Sequence, residues 1–249
     1  MIKVFQVFAL SFCAVALCAT AALAGPGELT GGWTGVHLSI GAGLGQMTTE
    51  LRAAPDADLN DPGAAGATAS FDGIAANGAS LNFSAGVDYQ FAPRFVAGAF
   101  IDYDVQDLET NVDVSIPGIG VRDDGRIEVN RSWAIGGRIG YLPSANTMIF
   151  ATAGIAQLGS TEAHLSLAID TFHVDARASV PTLTGAFIGG GFETRLTDHI
   201  SLRGEYRYAD FGSGDVTLPT VDGTDLNDFV SLRAAPALHT ERASVVYRF

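Results

Sequence analysis

The stretch His239-Thr-Glu-Arg-Ala-Ser-Val-Val-Tyr-Arg-Phe249 decides how the rest of the chain is interpreted. From Ala243 onward its residues alternate between an apolar set that ends on aromatic rings and a set that carries two arginines. Because successive side chains of a β-strand point to opposite faces of the sheet, the stretch predicts a strand with one apolar and one charged face. The remaining sequence has to show which of these faces lies inside the fold.

Seven further segments show similar alternation, which is typical of β-strands with two different faces. With the terminal stretch they make eight predicted strands, at 33–44, 79–91, 95–104, about 126–142, 147–158, 183–196, 200–210 and 239–249. The segment 147–158 is apolar almost throughout, so its facing stays open.

The connections between these strands alternate between short and long. Short turns lie around Pro93, Ser144 and Asp198, where turn-forming residues separate two strands. Four long connections are predicted at about 45–78, 106–125, 159–182 and 211–238. Inside the third of them, alternation between residues 165 and 176 predicts that two strands continue beyond the main sheet as a hairpin.

The first 24 residues have the composition of a cleaved secretory signal. Lys3 supplies positive charge, residues 4–17 are apolar, and Ala22 and Ala24 form a small-x-small cleavage site. The apolar run is shorter than the roughly 20 residues that a spanning helix needs. We therefore predict export of a single domain at 25–249, which contains neither of the two cysteines and forms no disulfide.

The charge of the chain excludes several classes of function. The net charge is −13 and Lys3 is the only lysine, so every cation of the predicted exported domain is an arginine. Nucleic-acid binding requires a basic patch, which an acidic chain does not favour. A Walker-type phosphate loop requires a lysine, and none is left after the signal.

The polar faces of the predicted strands together hold six acids and six arginines. They are Asp88, Asp102, Asp104, Glu128, Glu193, Glu205, Arg138, Arg195, Arg203, Arg207, Arg242 and Arg248. Equal numbers of carboxylates and guanidinium groups predict a closed network of ion pairs, because arginine binds carboxylates in bidentate geometry. Most glycines of the strands share this face, which makes room for long arginine side chains in a narrow interior.

The apolar faces carry aromatic residues at both ends. We place Trp33, Tyr89, Phe91, Phe95, Tyr141, Phe192, Tyr247 and Phe249 near the end of the short turns, and Tyr103, Tyr208 and Phe211 near the end of the long connections. Two aromatic belts around an apolar band are the pattern of a transmembrane β-barrel. A soluble eight-stranded barrel with an apolar ligand cavity is the competing interpretation, and it leaves the glycine-rich charged face unexplained.

The predicted fold is therefore an all-β, eight-stranded antiparallel up-and-down transmembrane β-barrel. In lipid every backbone polar group has to be paired, so the last strand has to close the barrel on the first. Short turns on one side and long connections on the other place the turns in the periplasm and the connections outside the cell.

Three motifs carry a family resemblance. Trp33-Thr-Gly35, Gly204-Glu-Tyr-Arg-Tyr208 and Val246-Tyr-Arg-Phe249 resemble the small porin-like outer-membrane β-barrel family, related to the OmpA transmembrane domain and to opacity-type surface proteins. The resemblance implies an outer-membrane location, contact with lipid and lipopolysaccharide, and a last strand whose Tyr247 and Phe249 are recognised by the barrel-assembly machinery. No peptidoglycan-binding segment follows in this sequence, so we do not expect the wall-tethering role of OmpA.

Catalytic chemistry has little support in the sequence. There is no HExxH or paired-cysteine motif, and the glycine-rich stretch 41–45 lies inside a strand and leads into no helix. His239 and Ser231 are the candidates for a lipid A-modifying enzyme, although a structural role is the simpler interpretation of a lone histidine. Two acidic clusters without EF-hand spacing are candidate sites for divalent cations: Asp56, Asp58 and Asp61, and Asp222, Asp225 and Asp228. We expect no enzymatic activity, no cofactor and no metal site.

Two functions remain open at this point. The first is a structural and surface-presenting protein of the outer membrane, which supports the envelope and meets surface or host ligands through acidic connections. The second is a pore for passive diffusion of small solutes. An eight-stranded barrel is just wide enough for its own side chains, so we expect a monomer with little or no conductance.

Overall fold

The computed structural model describes residues 32–55, 69–112, 121–123, 125–159, 161–169, 172–180, 182–216, 220–221, 224–225 and 230–249. The predicted cleavage residues Ala22 and Ala24 lie outside these ranges and stay a prediction. No helix within the described ranges has the length and apolar character needed to cross a membrane.

The described chain is built from β-strands. They are β1 (Gly35–Pro55), β2 (Ala69–Ala92), β3 (Phe95–Val112), β4 (Val121–Asp123), β5 (Gly125–Ser144), β6 (Thr147–Leu158), β7 (Thr161–Ile169), β8 (Phe172–Val180), β9 (Leu183–Arg195), β10 (Ile200–Asp210), β11 (Gly214–Val216), β12 (Thr220–Val221), β13 (Thr224–Asp225) and β14 (Val230–Arg248).

Eight of these strands form a closed antiparallel barrel. Their order is β3-β2-β1-β14-β10-β9-β6-β5, and pairing of β3 with β5 completes the ring. The last strand pairs with the first from His37 opposite Arg248 to Pro55 opposite Val230. The predicted eight-stranded antiparallel barrel is therefore confirmed, including its closure through the C-terminal stretch.

The barrel strands run further than the alternation predicted. β1 continues to Pro55 and β2 begins at Ala69, so much of the predicted connection 45–78 is strand. β14 begins at Val230, well before the predicted start at His239. Pairing continues along these extensions, and small residues without clear alternation concealed them in the sequence.

The hairpin predicted inside the third long connection is present. β7 and β8 pair from Thr161 opposite Val180 to Ile169 opposite Phe172, and β7 also pairs with β4 and with the first residues of β5. The barrel wall therefore rises on this side beyond the ends of β6 and β9.

Burial follows the alternation and shows which face is inside. On β14 the buried residues are Arg242, Ser244, Val246 and Arg248, and the exposed ones are Ala243, Val245, Tyr247 and Phe249. The same rule holds around the barrel, where large apolar side chains such as Ile40, Val87 and Ile139 are exposed on the outer surface. The charged face is therefore the inner one, and the apolar face is directed toward lipid.

Two aromatic residues that we placed in the outer belts lie inside the barrel instead. Trp33 is 1% exposed and Phe211 is 3% exposed. Alternation along the chain explains both errors. Trp33 lies four residues before His37, and Phe211 lies four residues after Arg207, so each ring points into the barrel as that neighbour does. Both rings lie at the ends of the barrel, where they close the interior.

Substitution of Gly136 tests how tightly the interior is packed. A Cβ atom there would lie 2.6 Å from the Phe187 ring, 2.7 Å from the Ala153 carbonyl oxygen and 3.0 Å from the Phe100 ring. We expect Gly136→Val to lower the free energy of unfolding by about 1–3 kcal/mol, measured by urea titration in lipid vesicles. Gly137→Val is the matched control, because that Cβ would meet only a carbonyl oxygen at 3.6 Å. Equal effects of the two variants would contradict this packing.

Candidate functional site in the barrel interior

The inward charges form two networks, and the first lies toward the short turns. Glu193 is fully buried at its centre and accepts hydrogen bonds from Arg138 (3.2 Å), Arg203 (2.9 Å) and Arg248 (3.1 Å). Asp88 accepts from Arg138 Nε at 2.7 Å and from Arg248 Nη1 at 2.8 Å. Two carboxylates and three guanidinium groups, contributed by five strands, thus form one network.

His37 and the backbone of Trp33, just before β1, complete this first network. His37 is fully buried, with Nε2 3.1 Å from Arg138 Nη2 and 3.6 Å from Asp88 Oδ2. Arg248 Nη1 also donates to the Trp33 carbonyl oxygen at 2.7 Å, which fixes the chain just before β1. The network therefore holds the first and last barrel strands together from the inside.

The second network lies further toward the long connections. Arg207 donates to Asp102 at 2.8 Å and to Glu205 at 2.9 Å. Arg242 contacts Asp104 at 3.4 Å, and Asp102 and Glu205 at 3.5 Å each. Three carboxylates and two arginines contributed by three strands make up this layer.

The two networks together are electrically balanced. Asp88, Asp102, Asp104, Glu193 and Glu205 face Arg138, Arg203, Arg207, Arg242 and Arg248. Five carboxylates thus meet five guanidinium groups among the described side chains. The low-dielectric surroundings make each pair strong and an unpaired charge costly.

Aromatic rings lie against the arginines of both networks. Arg207 lies 4.2 Å from the ring centre of Phe187 and 5.3 Å from that of Phe100. Phe150 contacts Arg138 at 5.6 Å and Arg203 at 5.9 Å. These cation–π distances place a ring beside the guanidinium groups of each layer.

Apolar clusters close the interior beyond both networks. At the end of the short turns the buried residues are Trp33, Val96, Leu142, Met148 and Phe150. Toward the long connections they are Met47, Ala76, Phe100, Leu108, Ala134, Ala156, Leu158, Leu183, Phe187, Ala209, Phe211 and Leu238. The cavity between the networks measures about 10 Å³, room for roughly one water molecule.

Two of the predicted network residues lie elsewhere. Arg195 is buried near Trp33, at 5.8 Å from its ring centre, and pairs with Asp198 in the adjacent turn at 3.3 Å. Glu128 lies on β5 opposite Glu109 and Glu162, ten positions from Arg138, and its side chain is outside the described part. A separation of about 33 Å along the strand removes Glu128 from the first network.

The apolar closure toward the long connections was missed in the sequence. Met47, Leu108 and Leu238 continue the inward-facing sets of residues on β1, β3 and β14. Extending the alternation beyond the predicted strand ends would have found them.

The remaining candidate groups form no catalytic or metal site in the described residues. His239 and Ser231 both lie on β14, eight positions apart, which separates them by about 26 Å. No three or more His, Cys, Asp or Glu side chains among the described residues are grouped to hold a metal ion. Asp56, Asp58, Asp61, Asp222 and Asp228 lie outside the described residues, as does the side chain of Asp225.

Comparisons with known proteins agree with this architecture. A family model described as outer membrane protein beta-barrel domain matches residues 10–249. The 31 kDa outer-membrane immunogenic protein of Brucella melitensis biotype 1 is 25% identical over 220 residues, covering 87% of this chain and 84% of the relative.

Two solved structures show the extent of the structural likeness. The outer membrane protein OprG from Pseudomonas aeruginosa is 11% identical, with a TM-score of 0.49 and coverage of 89% of this chain and 100% of that one. The outer membrane protease OmpT from Escherichia coli is 10% identical, with a TM-score of 0.48 and coverage of 86% and 97%.

Proposed function

The chain belongs to the outer membrane protein β-barrel domain family, and on this premise we propose that its barrel is a sealed anchor that presents the long connections at the cell surface. Its location is the outer membrane. The short turns face the periplasm in this proposal, and the connections with the β7–β8 hairpin face the outside. The barrel contributes to envelope integrity, and the acidic connections meet surface or host ligands.

The interior carries this proposal. Two ion-pair networks, which together are balanced in charge, lie between two apolar clusters, and the cavity between the networks has room for roughly one water molecule. A conducting pore needs a continuous polar path through the barrel. Toward the long connections, the interior is instead occupied by apolar residues that include buried Phe187, Leu108 and Phe211. The interior is therefore suited to stabilising the barrel rather than to transport.

Planar-bilayer recording tests the sealed barrel. We expect the purified protein to show no stable single-channel current of porin size. Replacing Arg203 or Glu205 with alanine is expected to open the interior or destabilise it, because each change leaves buried charges uncompensated. A stable porin-sized current from the unmodified protein would overturn the proposal and favour passive diffusion of small solutes.

Three narrower points belong to the same proposal. We propose that the protein is not an enzyme, supported by the separation of His239 from Ser231 on β14. Mass spectrometry of lipid A from cells with and without the protein tests this, and altered acylation would contradict it. We also propose a monomer that contacts lipid and lipopolysaccharide, and whose last strand is recognised by the barrel-assembly machinery.

A further inference from the structure

A polar cluster lies on the outer face of the barrel, where β10 meets β14. It consists of Tyr206, Tyr208, His239 and Glu241. The strand register places Tyr206 opposite Glu241 and Tyr208 opposite His239. Their strand neighbours Arg207 and Arg242 are buried inside the barrel, so these four side chains belong to the outward set.

The cluster is held in a defined arrangement. The Tyr206 hydroxyl lies 2.7 Å from Nδ1 of His239. The rings of Tyr208 and His239 are 4.9 Å apart at an angle of 52°, and those of Tyr206 and His239 are 6.1 Å apart. All four residues are half-buried, so part of each remains open to a ligand from the side of the membrane.

The cluster lies at one edge of the apolar band. Toward the C-terminus the outward residues of β14 are apolar from Ala243 to Phe249, and Glu241 is the first charged one. On its other side Glu241 lies opposite Leu44 of β1, which is 57% exposed on the outer surface. Glu241 therefore marks the edge of the lipid-facing apolar row on β14.

The chemistry of the cluster restricts its ligand. Anionic headgroups are bound by basic pockets, and the cluster contains neither lysine nor arginine. A carboxylate accepts hydrogen bonds, phenol hydroxyls both donate and accept them, and the aromatic rings offer flat apolar faces. Hydroxyl and amide groups of a sugar suit this set, and a bare phosphate does not.

We propose that Tyr206, Tyr208, His239 and Glu241 bind the sugar headgroup of an outer-leaflet glycolipid through its hydroxyl and amide groups. The cluster lies at the margin of the apolar band nearer the long connections, where outer-leaflet headgroups meet the barrel. The inference rests on the proposed orientation of the barrel, and it does not depend on whether the interior conducts.

Native mass spectrometry with defined lipids tests the site. The full-length exported barrel is mixed with lipid A, with lipid A from which the phosphates have been removed, or with phosphatidylethanolamine. We expect both lipid A forms to bind and phosphatidylethanolamine to bind weakly. Glu241→Gln and Tyr206→Phe are each expected to weaken lipid A binding about tenfold, because the first exchanges a charged acceptor oxygen for an NH2 donor and the second removes a hydroxyl group.

Glu50→Gln is the matched control. Glu50 is an exposed carboxylate on β1 that lies 3.5 Å from Arg52, away from the cluster, and its replacement should leave binding unchanged. Heat-modifiable migration shows whether each variant has formed a barrel. If Glu241→Gln does not assemble, Tyr206→Phe, which removes only one oxygen atom, still tests the site.

Three results would overturn the proposal. The first is equal lipid A binding by the unmodified protein and by both cluster variants. The second is binding that disappears when the phosphates are removed. The third is a dimer that Glu241→Gln dissociates, which would assign this face to a second copy of the chain. An inverted barrel in surface-labelling experiments would refute the orientation separately.

Discussion

Replacing Glu193 with glutamine is expected to lower the free energy of unfolding by about 3–5 kcal/mol. Glu193 is 0% exposed and lies within hydrogen-bonding distance of Arg138, Arg203 and Arg248. The substitution keeps the shape of the side chain and removes its charge. Arg138 and Arg248 then keep Asp88 as a partner, whereas Arg203 loses its ion pair, which leaves positive charge uncompensated in a low-dielectric interior.

Urea titration in lipid vesicles, followed by tryptophan fluorescence, measures this loss. Trp33 lies beside Arg248 at 5.3 Å from its ring centre and therefore reports on the network. Glu50→Gln again serves as the control, since an exposed pair contributes about 0–1 kcal/mol. A loss below about 1 kcal/mol for Glu193→Gln would show that the first network contributes little to stability.

Deleting Phe249 is expected to reduce the amount of assembled barrel in the outer membrane several-fold. Phe249 donates its backbone N–H to the Val36 carbonyl oxygen at 3.0 Å, and its ring packs edge-on against Tyr247 at 5.0 Å. The ring is 67% exposed, so it is available to lipid and to a recognition partner. The readout is heat-modifiable migration of the protein in an outer-membrane fraction.

Two comparisons separate recognition from stability in this deletion. Removing Gly63 from the predicted connection 45–78 is a deletion of equal length, and we expect a smaller loss of assembled protein. Refolding from urea into lipid vesicles takes place without the assembly machinery. A Phe249 deletion that refolds normally there but fails in cells identifies recognition, whereas equal loss in both settings would contradict the assembly signal.

Much of the interior network was predictable from the alternation of residues along each strand. The charged residues of β3, β10 and β14 share one face of their strands, and closing the barrel brings those faces together. Asp104 and Arg242, which are 138 positions apart, meet in this way at 3.4 Å. The individual partners were not predictable, because they depend on strand register and on the tilt of the closed barrel.

The predictions that failed did so at strand ends. Trp33 and Phe211 were assigned outward because aromatic belts are common there, although their parity places them inside. Glu128 was assigned to the interior network from alternation alone; it lies about 33 Å along β5 from Arg138 of the first network, and its side chain is outside the described part. Alternation along a strand decides whether a residue faces inward or outward, and its position along the barrel axis decides which residues it contacts.

The sequence by itself determined the class of fold, the eight main strands and the inward direction of the charges. Alternation is a local property of extended backbone, and the need to pair every backbone group in lipid leaves a closed barrel as the solution. Only the tertiary structure decided that the charges divide into two networks between apolar clusters. That division depends on side chains from strands far apart in the chain meeting at one height, which no local pattern encodes.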